Sequence, residues 1–380
     1  MNSKKMKKIM LIFGTRPEAI KMAPVIKALE QHSELQPVVC ITAQHRQMLD
    51  QVMKLFEIEA EIDLDLMQPN QNLANLSARI MQQITPHLER ISPAAVLVQG
   101  DTTSTLFGAI ASFYQGIPIG HIEAGLRTGD MHSPFPEEMN RVLTTRLTRW
   151  HFAPTQHNRN TLLDEHVNES QIYVTGNTII DALLLIRDRL EKGTCSTETS
   201  VFMNQFKRPY ILVTGHRRES FGPGFESICH ALASLAYNHP DIDIIYPVHL
   251  NPNVQNPVNR ILKKNHNIKL IPPQGYENFV ALMNSSLFIL TDSGGVQEEA
   301  PSLGKPVLVM RQKTERIEGL SGGVKLVGTD HEIILNECER LLCEDGHYNL
   351  MSEATNPYGD GHAAARITDI LHRSLNLSSH

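Results

Sequence analysis

The chain contains 380 residues, of which 41% are hydrophobic and 20% are charged, as in a globular protein. A single hydrophobic core stops growing at about 250–300 residues, so the length favours two domains. The net charge of -6 argues against a nucleic-acid partner, which normally requires a basic surface.

Cysteine usage and the first residues indicate a cytoplasmic protein. The cysteines are odd in number, scattered and without zinc spacing, so we expect reduced thiols. They are Cys40, Cys195, Cys229, Cys338 and Cys343. The basic start, residues 1–8, precedes an apolar run at 9–13 that is too short for a signal peptide and predicts a first strand. No stretch reaches the roughly 18 apolar residues of a membrane span, so no membrane partner is expected.

Short apolar runs alternate with longer amphipathic segments along the whole chain. Runs that are apolar on both faces and separated by helical segments are typical of parallel sheets covered by helices. They lie at 9–13, 38–42, 94–99, 117–122 and 172–175 in the first half, and at 210–214, 242–248, 268–271, 287–291 and 307–310 in the second. We therefore predict an α/β protein with two doubly wound sheets and a linker near 191–209. Ligands of such folds lie beyond the carboxyl ends of the strands.

The turn after the first strand carries two cations. Pro17 suits the first turn of a helix, and Arg16 and Lys21 could meet the charge of a diphosphate. The alternative is an ordinary solvated, capped helix start. A Rossmann G-x-G-x-x-G sequence and a Walker A sequence are both missing, which argues against nicotinamide redox and ATP chemistry. We expect no cofactor.

Three carboxylates follow predicted strands or precede a predicted helix in the first half. Asp101 follows the run at 94–99, Glu123 ends the next strand between glycines, and Glu137 lies in a Pro-rich segment before a helix. Neighbouring carboxylates suit acid/base catalysis on a sugar, because proximity pushes their pKa values apart. Asp101 could instead be only a helix N-cap. Metal binding is the competing use, but the His and Glu spacings match no zinc pattern, so no metal is predicted.

The second half offers a histidine and a possible base-binding pair. His216 follows the first strand, where an imidazole suits proton transfer or a hydrogen bond to a leaving phosphate. A structural role is the alternative, and it is our interpretation of His249 from the residues alone. Gln274 and Phe279 lie near another strand end, where an amide and an aromatic face could take a uracil. Phe279 could equally belong to the core.

The stretch 287–306 predicts a strand, a small-residue turn and a helix start. Ser293, Gly294 and Gly295 form the turn, where N–H groups and the positive end of a helix dipole could bind a phosphate or diphosphate. Glu298 and Glu299 follow directly. A carboxylate would repel phosphate, so we expect one of the two to hold sugar hydroxyls. The alternative is an ordinary strand-to-helix connection.

Six motifs, taken in order, resemble those of the bacterial non-hydrolysing UDP-N-acetylglucosamine 2-epimerases. They are Gly14-Thr15-Arg16-Pro17-Glu18, Gly100-Asp101-Thr102-Thr103, His121-Ile122-Glu123-Ala124-Gly125-Leu126-Arg127, Gly215-His216-Arg217-Arg218-Glu219, Thr291-Asp292-Ser293-Gly294-Gly295 and Asn356-Pro357-Tyr358-Gly359-Asp360-Gly361. The resemblance covers residues 9 to 366. Each motif alone is a weak signal, whereas the ordered set is specific.

The resemblance implies a glycosyltransferase-B-like pair of Rossmann-like domains with the active site in the interdomain cleft. The first domain would comprise residues 1–178 and a final helix over 366–380, and the second would comprise 179–365. The family removes the C2 proton of UDP-GlcNAc with loss of UDP, which leaves bound 2-acetamidoglucal. UDP is then re-added after protonation on the other face, giving UDP-ManNAc without a cofactor or essential metal. A homodimer is the family expectation.

The resemblance also assigns roles residue by residue. The family's catalytic positions match Asp101, Glu123, Glu137 and His216. Positions that line the UDP-sugar site match Arg16, Lys21, Gln274, Phe279, Ser293, Gly294, Gly295, Glu299 and Arg316. Family members can require UDP-GlcNAc as an allosteric activator beside the active site, and that pocket matches Gln44, Gln47, Arg217 and His249. His249 thereby moves from a structural to a functional interpretation.

Two departures from the family pattern stand out. In residues 310–317 the family more often has Asp-Thr before Thr-Glu-Arg and Pro after it. This difference concerns the conformation of the loop that carries Arg316. Gln99 stands where His is frequent, and we expect this change to matter less.

The predicted function is a UDP-GlcNAc 2-epimerase supplying ManNAc units for surface polysaccharide. The alternatives are a hydrolysing relative that releases ManNAc and UDP, a glycosyltransferase of the same fold, and a sugar-nucleotide sensor without turnover.

Overall fold

The structure is a computed structural model that describes residues 6–43, 46–66 and 72–377. Its contacts divide the chain into two compact units. The first comprises the described residues up to Ala182 and those from Tyr358 onward, and the second comprises Leu183–Pro357. The boundaries expected from the sequence, after 178 and before 366, lie near these divisions and stay a prediction. The expected linker, 191–209, belongs to the second unit and contains a helix.

A parallel sheet forms the centre of the first unit. In the described residues its strands are β1 (Lys7–Phe13), β2 (Leu35–Ile41), β3 (Ile62–Asp63), β4 (Ala95–Gln99), β5 (Ile119–Ile122), β6 (Trp150–Ala153) and β7 (Ile172–Val174). They pair in the order β3-β2-β1-β4-β5-β6-β7. All side chains from Ile9 to Phe13 are fully buried, so both faces of β1 are covered. Strand order reverses beside β1, between β2 and β4, and this point positions the site.

Helices connect these strands. They are α1 (Arg16–Glu30), α2 (Arg46–Leu55), α3 (Leu73–Ile91), α4 (Thr103–Tyr114), α5 (Glu137–Leu147), α6 (Gln156–Asp164) and α7 (Thr178–Glu191), which the unit division crosses. The C-terminal helix α15 (Ala363–Leu377) packs against α1. Lys7 Nζ donates to the Leu375 carbonyl (2.7 Å), and His372 Nε2 lies 2.8 Å from Glu34 Oε2. These contacts attach the chain's last helix to the first unit.

The second unit repeats the architecture within 183–357. Its strands are β8 (Tyr210–Thr214), β9 (Asp243–Pro247), β10 (Ile268–Ile271), β11 (Ile289–Thr291), β12 (Val307–Val309) and β13 (Val324–Leu326), paired in parallel in the order β10-β9-β8-β11-β12-β13. Its helices are α8 (Thr197–Met203), α9 (Pro223–Asn238), α10 (Pro252–Leu262), α11 (Tyr276–Ser285), α12 (Gly294–Glu299), α13 (His331–Cys343) and α14 (Asp345–Ser352). Strand order reverses between β9 and β11, beside β8, as it does beside β1.

The predicted fold class is confirmed, since both units are doubly wound parallel α/β structures. Sequence reasoning missed three of the described strands, β3, β6 and β13. β3 spans only two residues, while β6 contains His151 and β13 contains Lys325, which interrupt the apolar pattern. None of the helices in the described part of the chain is long and apolar enough to cross a membrane.

Candidate active site

A buried carboxylate ties together the turns that follow β1 and β4. Glu18 is 2% exposed, and its Oε2 accepts the backbone N–H groups of Gly14 (3.0 Å) and Thr15 (2.8 Å). Its Oε1 accepts the hydroxyls of Thr102 (2.6 Å) and Thr105 (3.2 Å). Burial raises the pKa of Glu18, and the hydrogen bonds that its carboxylate accepts oppose this rise. Glu18 therefore fixes the starts of α1 and α4 relative to each other, a role that sequence reasoning missed.

Asp101 lies just beyond the carboxyl end of β4. The N-cap of α4 is Thr102, whose hydroxyl accepts the Thr105 N–H, so the alternative that Asp101 is only a cap is wrong. The Asp101 carboxylate instead forms an ion pair with Arg141 Nη2 on α5. Its carbonyl accepts a hydrogen bond from Asn140 Nδ2 (2.8 Å). Helix α5 thus holds Asp101 through both its main chain and its side chain.

The environment of Asp101 shifts the pKa of its carboxyl upward. Burial is the largest influence and raises the pKa of this carboxyl above its ordinary value. The positive charges of Arg141 and Lys21 oppose the rise. The negative charges of Glu123 and Glu137 add to it, so the three predicted catalytic carboxylates act on one another electrostatically. The structure brings them together at one edge of the first sheet.

Glu123 follows β5, and donors that include Lys21, Gln99 and Asn177 hold its carboxylate. Its φ of 67° places it in the left-handed region, where the surrounding contacts must hold a non-glycine residue. Oε1 contacts Lys21 Nζ (2.5 Å) and Asn177 Nδ2 (3.3 Å), and Oε2 accepts from Gln99 Nε2 (2.5 Å). These donors fix the position of the carboxylate. Lys21 therefore contacts Glu123 within this unit, while Arg16 is half-buried at the start of α1.

Glu137 is the first residue of α5 and is half-buried. No hydrogen bond or ion pair of its carboxylate is found among the described residues. Its neighbour Glu138 is 1% exposed, accepts the N–H groups of Thr128 (3.0 Å) and Gly129 (3.1 Å), and lies 3.3 Å from Arg141. Of the two adjacent glutamates, Glu138 therefore anchors the loop and Glu137 is available for chemistry.

The turn formed by Ser293, Gly294 and Gly295 in the second unit lies next to the side chain of Arg316. Ser293 is the N-cap of α12. A Cβ added to Gly294 would lie 2.7 Å from Arg316 Cζ, so a larger residue there would displace this guanidinium. Arg316 Nε donates to Glu298 Oε1 (2.9 Å), and its Nη1 pairs with Glu315. The structure thus brings Arg316 to the predicted diphosphate turn, despite the sequence departures around it.

Glu299 lies beside the same turn. Its Oε2 accepts the Tyr276 hydroxyl (2.9 Å), and its Oε1 would lie 3.4 Å from a Cβ added to Gly295. Tyr276 begins α11, the helix that also carries half-buried Phe279. Gln274, just before α11, donates to the Pro272 carbonyl and accepts from Asn278. Tyr276 therefore links the predicted ribose-binding carboxylate to the helix predicted to meet the uracil.

His216 follows β8 and lies against two partners. Its ring stacks on the His249 ring, with centroids 5.3 Å apart and an interplanar angle of 13°. The backbone N–H groups of His216 and Arg217 both donate to Asp292 Oδ2 (2.7 Å each). Burial lowers the pKa of His216, as do His249 and Arg217, whereas Asp292 opposes the shift. The stack places His249 beside His216 and does not bear on the activator role expected for it.

The remaining activator residues are only partly placed. Gln44 lies outside the described residues. Gln47 is exposed on α2 of the first unit, and Arg217 is half-buried beside Asp292 in the second. Their assignment to an activator pocket stays a prediction.

The loop at 310–317 is held from two sides. Arg311 Nε contacts Glu219 Oε1 (2.5 Å), and its Nη1 contacts Glu315 Oε2 (3.0 Å). The Thr314 hydroxyl donates to Gln297 Oε1 (2.7 Å) on α12. These contacts join the loop that precedes Arg316 to the turn after β8 and to α12. The departures from the family pattern leave this attachment in place.

Sequence reasoning missed several partners of the predicted residues, namely Gln99, Asn140, Arg141, Asn177 and Asp292. Gln99 bonds directly to Glu123, and the expectation that glutamine in place of histidine matters less stays a prediction. Gln99 ends β4 and Asp292 follows β11, so the same strand-end rule could have identified both. Arg141 lies four residues after Glu137 on α5, the spacing of one helical face.

Comparisons with known proteins identify the family of this chain. The family model described as UDP-N-acetylglucosamine 2-epimerase matches residues 27–372. A UDP-N-acetylglucosamine 2-epimerase of Escherichia coli (strain K12) is 56% identical over 369 residues, which cover 96% of this chain and 98% of the relative. The chain also resembles the crystal structure of UDP-GlcNAc 2-epimerase from Neisseria meningitidis bound to UDP-GlcNAc. The TM-score is 0.87 and the identity 48%, with 96% of this chain and 100% of that chain covered.

A solved structure of lower sequence identity is also similar to this chain. UDP-GlcNAc 2-epimerase from Methanocaldococcus jannaschii, in complex with UDP-GlcNAc and UDP, matches with a TM-score of 0.78 and 33% identity over 96% of this chain and 99% of that chain. The family model matches most of this chain. The alignments with these relatives cover nearly the whole length of both chains. The chain therefore belongs to the UDP-N-acetylglucosamine 2-epimerase family, of the bacterial non-hydrolysing kind.

Proposed function

We propose that this protein interconverts UDP-GlcNAc and UDP-ManNAc by eliminating UDP to a bound 2-acetamidoglucal and adding it back. The observation that carries this proposal is the group of carboxylates formed by Asp101, Glu123 and Glu137 at the carboxyl edge of the first sheet. The family membership supports it, and the Neisseria meningitidis relative was solved with UDP-GlcNAc bound.

The chemistry requires acid/base groups that can serve both faces of C2. No carbonyl is conjugated with the C2–H bond, so its proton is barely acidic and departure of UDP must assist its removal. A base takes the proton, the C–H electrons form the C1–C2 double bond, and the C1–O bond breaks toward UDP. A proton delivered to the opposite face of C2 and re-addition of UDP to C1 give the epimer.

The surroundings of the carboxylates separate their roles. Lys21, Gln99 and Asn177 donate to the Glu123 carboxylate and fix its position, which suits a group that accepts a proton at a defined place. Burial raises the pKa of Asp101, which suits a group that carries one. Glu137, without a hydrogen-bond partner in the described residues, can contact the sugar from the start of α5. One active site would thereby hold a proton acceptor and a proton donor at once.

The nucleotide would be held by the residues predicted for it. Ser293, Gly294 and Gly295, with Arg16 and Arg316, would bind the diphosphate, and Lys21 would neutralise charge near Glu123. Glu299 would bind the ribose hydroxyls, and Gln274 and Phe279 the uracil. His216 would donate a hydrogen bond to the leaving phosphate.

Incubation of the purified protein with UDP-GlcNAc in heavy water tests this reaction. We expect UDP-ManNAc with deuterium at C2, because the proton exchanges with solvent during the elimination. Free ManNAc with UDP would instead indicate the hydrolysing reaction, and unchanged protium at C2 with transfer to an acceptor would indicate a glycosyltransferase. Asp101→Asn is the matched variant. It should lose turnover while still binding UDP, and unimpaired turnover would remove Asp101 from the chemistry.

We also propose the setting of this reaction. The enzyme would be a cytoplasmic homodimer that supplies ManNAc units for surface polysaccharide, with UDP-GlcNAc as an activator bound by Gln44, Gln47, Arg217 and His249. If activation operates, UDP-ManNAc alone should be converted slowly, and a trace of UDP-GlcNAc should accelerate it. Light scattering on the purified protein measures the oligomeric state.

A further inference from the structure

A buried carboxylate beside His216 has one oxygen without a hydrogen bond. Asp292 directly follows β11, and its side chain is 2% exposed. Its Oδ2 accepts the N–H groups of His216 and Arg217, whereas its Oδ1 has no hydrogen-bond partner in the described residues. Oδ1 lies 3.5 Å from His216 Nδ1. A buried polar atom left unpaired is costly, so this one requires an explanation.

The His216 ring is constrained on two sides. Its face stacks on His249, and its Nδ1 edge faces Asp292 Oδ1. The side chain is 42% exposed, so a ligand can reach part of the imidazole, and Nε2 lies on the edge away from Nδ1. A small rotation within the stack would bring Nδ1 into hydrogen-bond distance of Oδ1.

We propose that Asp292 is a positioning residue that holds His216 with a proton on Nδ1 and thereby presents Nε2 to the leaving diphosphate. This inference rests on the proposed function, in which His216 meets the departing UDP. The carboxylate oxygen can only accept, so it selects the tautomer that carries its proton on Nδ1. A second proton taken up on Nε2 would be donated to a phosphate oxygen, and Asp292 would stabilise the imidazolium so formed.

The charged groups around His216 make this support necessary. His249 and Arg217 face the imidazole and disfavour its charged form, as does burial, while Asp292 favours it. Asp292 is the negative charge among these neighbours. A merely structural Asp292 would need only Oδ2, which pins the turn through two backbone N–H groups. That structural role would leave the orientation of Oδ1 toward Nδ1 unexplained.

Asp292→Asn separates the two roles. The asparagine keeps one oxygen for the backbone N–H groups but turns an NH₂ donor toward Nδ1, which then must accept. We expect kcat to fall about a hundredfold, the lower end of the range for a lost acid/base contribution, and UDP affinity to change by less than about threefold. Asp330→Asn is a matched control, since Asp330 also accepts two backbone N–H groups in this unit, those of Glu332 and Ile333. It should leave kcat unchanged.

A double-mutant cycle with His216→Gln gives a readout that a structural role would not produce. If Asp292 acts through His216, Asp292→Asn should cost almost nothing in the His216→Gln background. An equal loss of rate in both backgrounds would overturn the proposal.

Nitrogen NMR on ¹⁵N-histidine-labelled wild-type protein tests the tautomer without any variant of Asp292. The spectrum of His216→Gln identifies the His216 signals, and we expect protonated Nδ1 and unprotonated Nε2 at high pH. The reverse tautomer would overturn the proposal even if Asp292→Asn failed to fold. This measurement does not depend on turnover, so a protein that produced no epimer would refute the proposed function while the tautomer still decided the role of Asp292.

Discussion

Arg141 joins Asp101 to Glu138. Its Nη2 pairs with the Asp101 carboxylate, its Nη1 lies 3.3 Å from Glu138 Oε2, and its side chain is only 7% exposed. Because Glu137 lies on the same helix, one turn before Arg141, the guanidinium fixes α5 relative to the end of β4. The spacing between two of the proposed catalytic carboxylates therefore depends on an ion pair.

Replacing Arg141 by lysine should impair both catalysis and folding. Lysine keeps the charge but cannot hold two carboxylates with a planar fork. We expect kcat to fall about tenfold or more and the free energy of unfolding to fall by about 2 kcal/mol. Arg141 lowers the pKa of Asp101, so a weaker pair should move the pH–rate limb of Asp101 upward. Arg146→Lys, an exposed change on the same helix, should alter neither quantity.

Gln99 should be required as a hydrogen-bond donor. Gln99 is 2% exposed and donates to Glu123 Oε2, so Gln99→Leu keeps similar bulk but removes the donor. A hydrogen bond to a charged group contributes about 1.5–3 kcal/mol, which corresponds to a loss of about ten- to a hundredfold in kcat/KM. Gln99→His restores a donor and should retain most of the activity. Equal activity of the leucine and histidine variants in the same assay would show that the contact is unimportant.

Strand ends can be predicted well from the sequence, whereas the hydrogen-bond and ion-pair partners of the site residues cannot. Apolar runs and the residues after them are local patterns, so Asp101, Glu123 and Ser293 were found at strand ends. Contacts such as Arg141 with Asp101 and Asn177 with Glu123 join residues 40 and 54 positions apart. No periodicity encodes such pairs, because the packing of helices onto the sheet decides them.

Local patterns also left open choices that the fold decided. Asp101 and Thr102 are both good helix caps, and only the direction of the Thr102 hydroxyl shows which one caps α4. Glu137 and Glu138 are adjacent in sequence, and burial separates them, since Glu138 is nearly inaccessible. The resemblance to a family supplied the choice of Glu137, and periodicity alone would not have made it.

Two buried histidines should make the first unit acid-sensitive. Burial lowers the pKa of His121 to about 4 and that of His151 to about 3, against about 6.5 in an unfolded chain. The folded state then binds fewer protons than the unfolded state. Stability is therefore lost as pH falls below about 6.5, by about 2 kcal/mol per histidine down to pH 5.

Urea unfolding at pH 7.5 and at pH 5.0 measures this loss. Trp150, the single tryptophan, lies buried in β6 beside His151, so its fluorescence reports on the first unit. His151→Gln should remove about half of the pH dependence, since glutamine does not titrate. An unchanged difference between the two pH values in this variant would show that His151 is not responsible.

Gly294→Ala should weaken nucleotide binding more than it weakens folding. The backbone of Gly294 does not lie in the left-handed region, so alanine is tolerated there, but its Cβ would lie 2.7 Å from Arg316 Cζ. The guanidinium must shift, and its 2.9 Å contact with Glu298 would be lost. We expect UDP affinity, measured by calorimetry, to fall about tenfold, with less than about 1 kcal/mol of lost stability. Gly346→Ala, where a Cβ meets nothing within 4 Å, is the control and should leave UDP affinity unchanged. Equal UDP affinity of the two variants would place the diphosphate away from this turn.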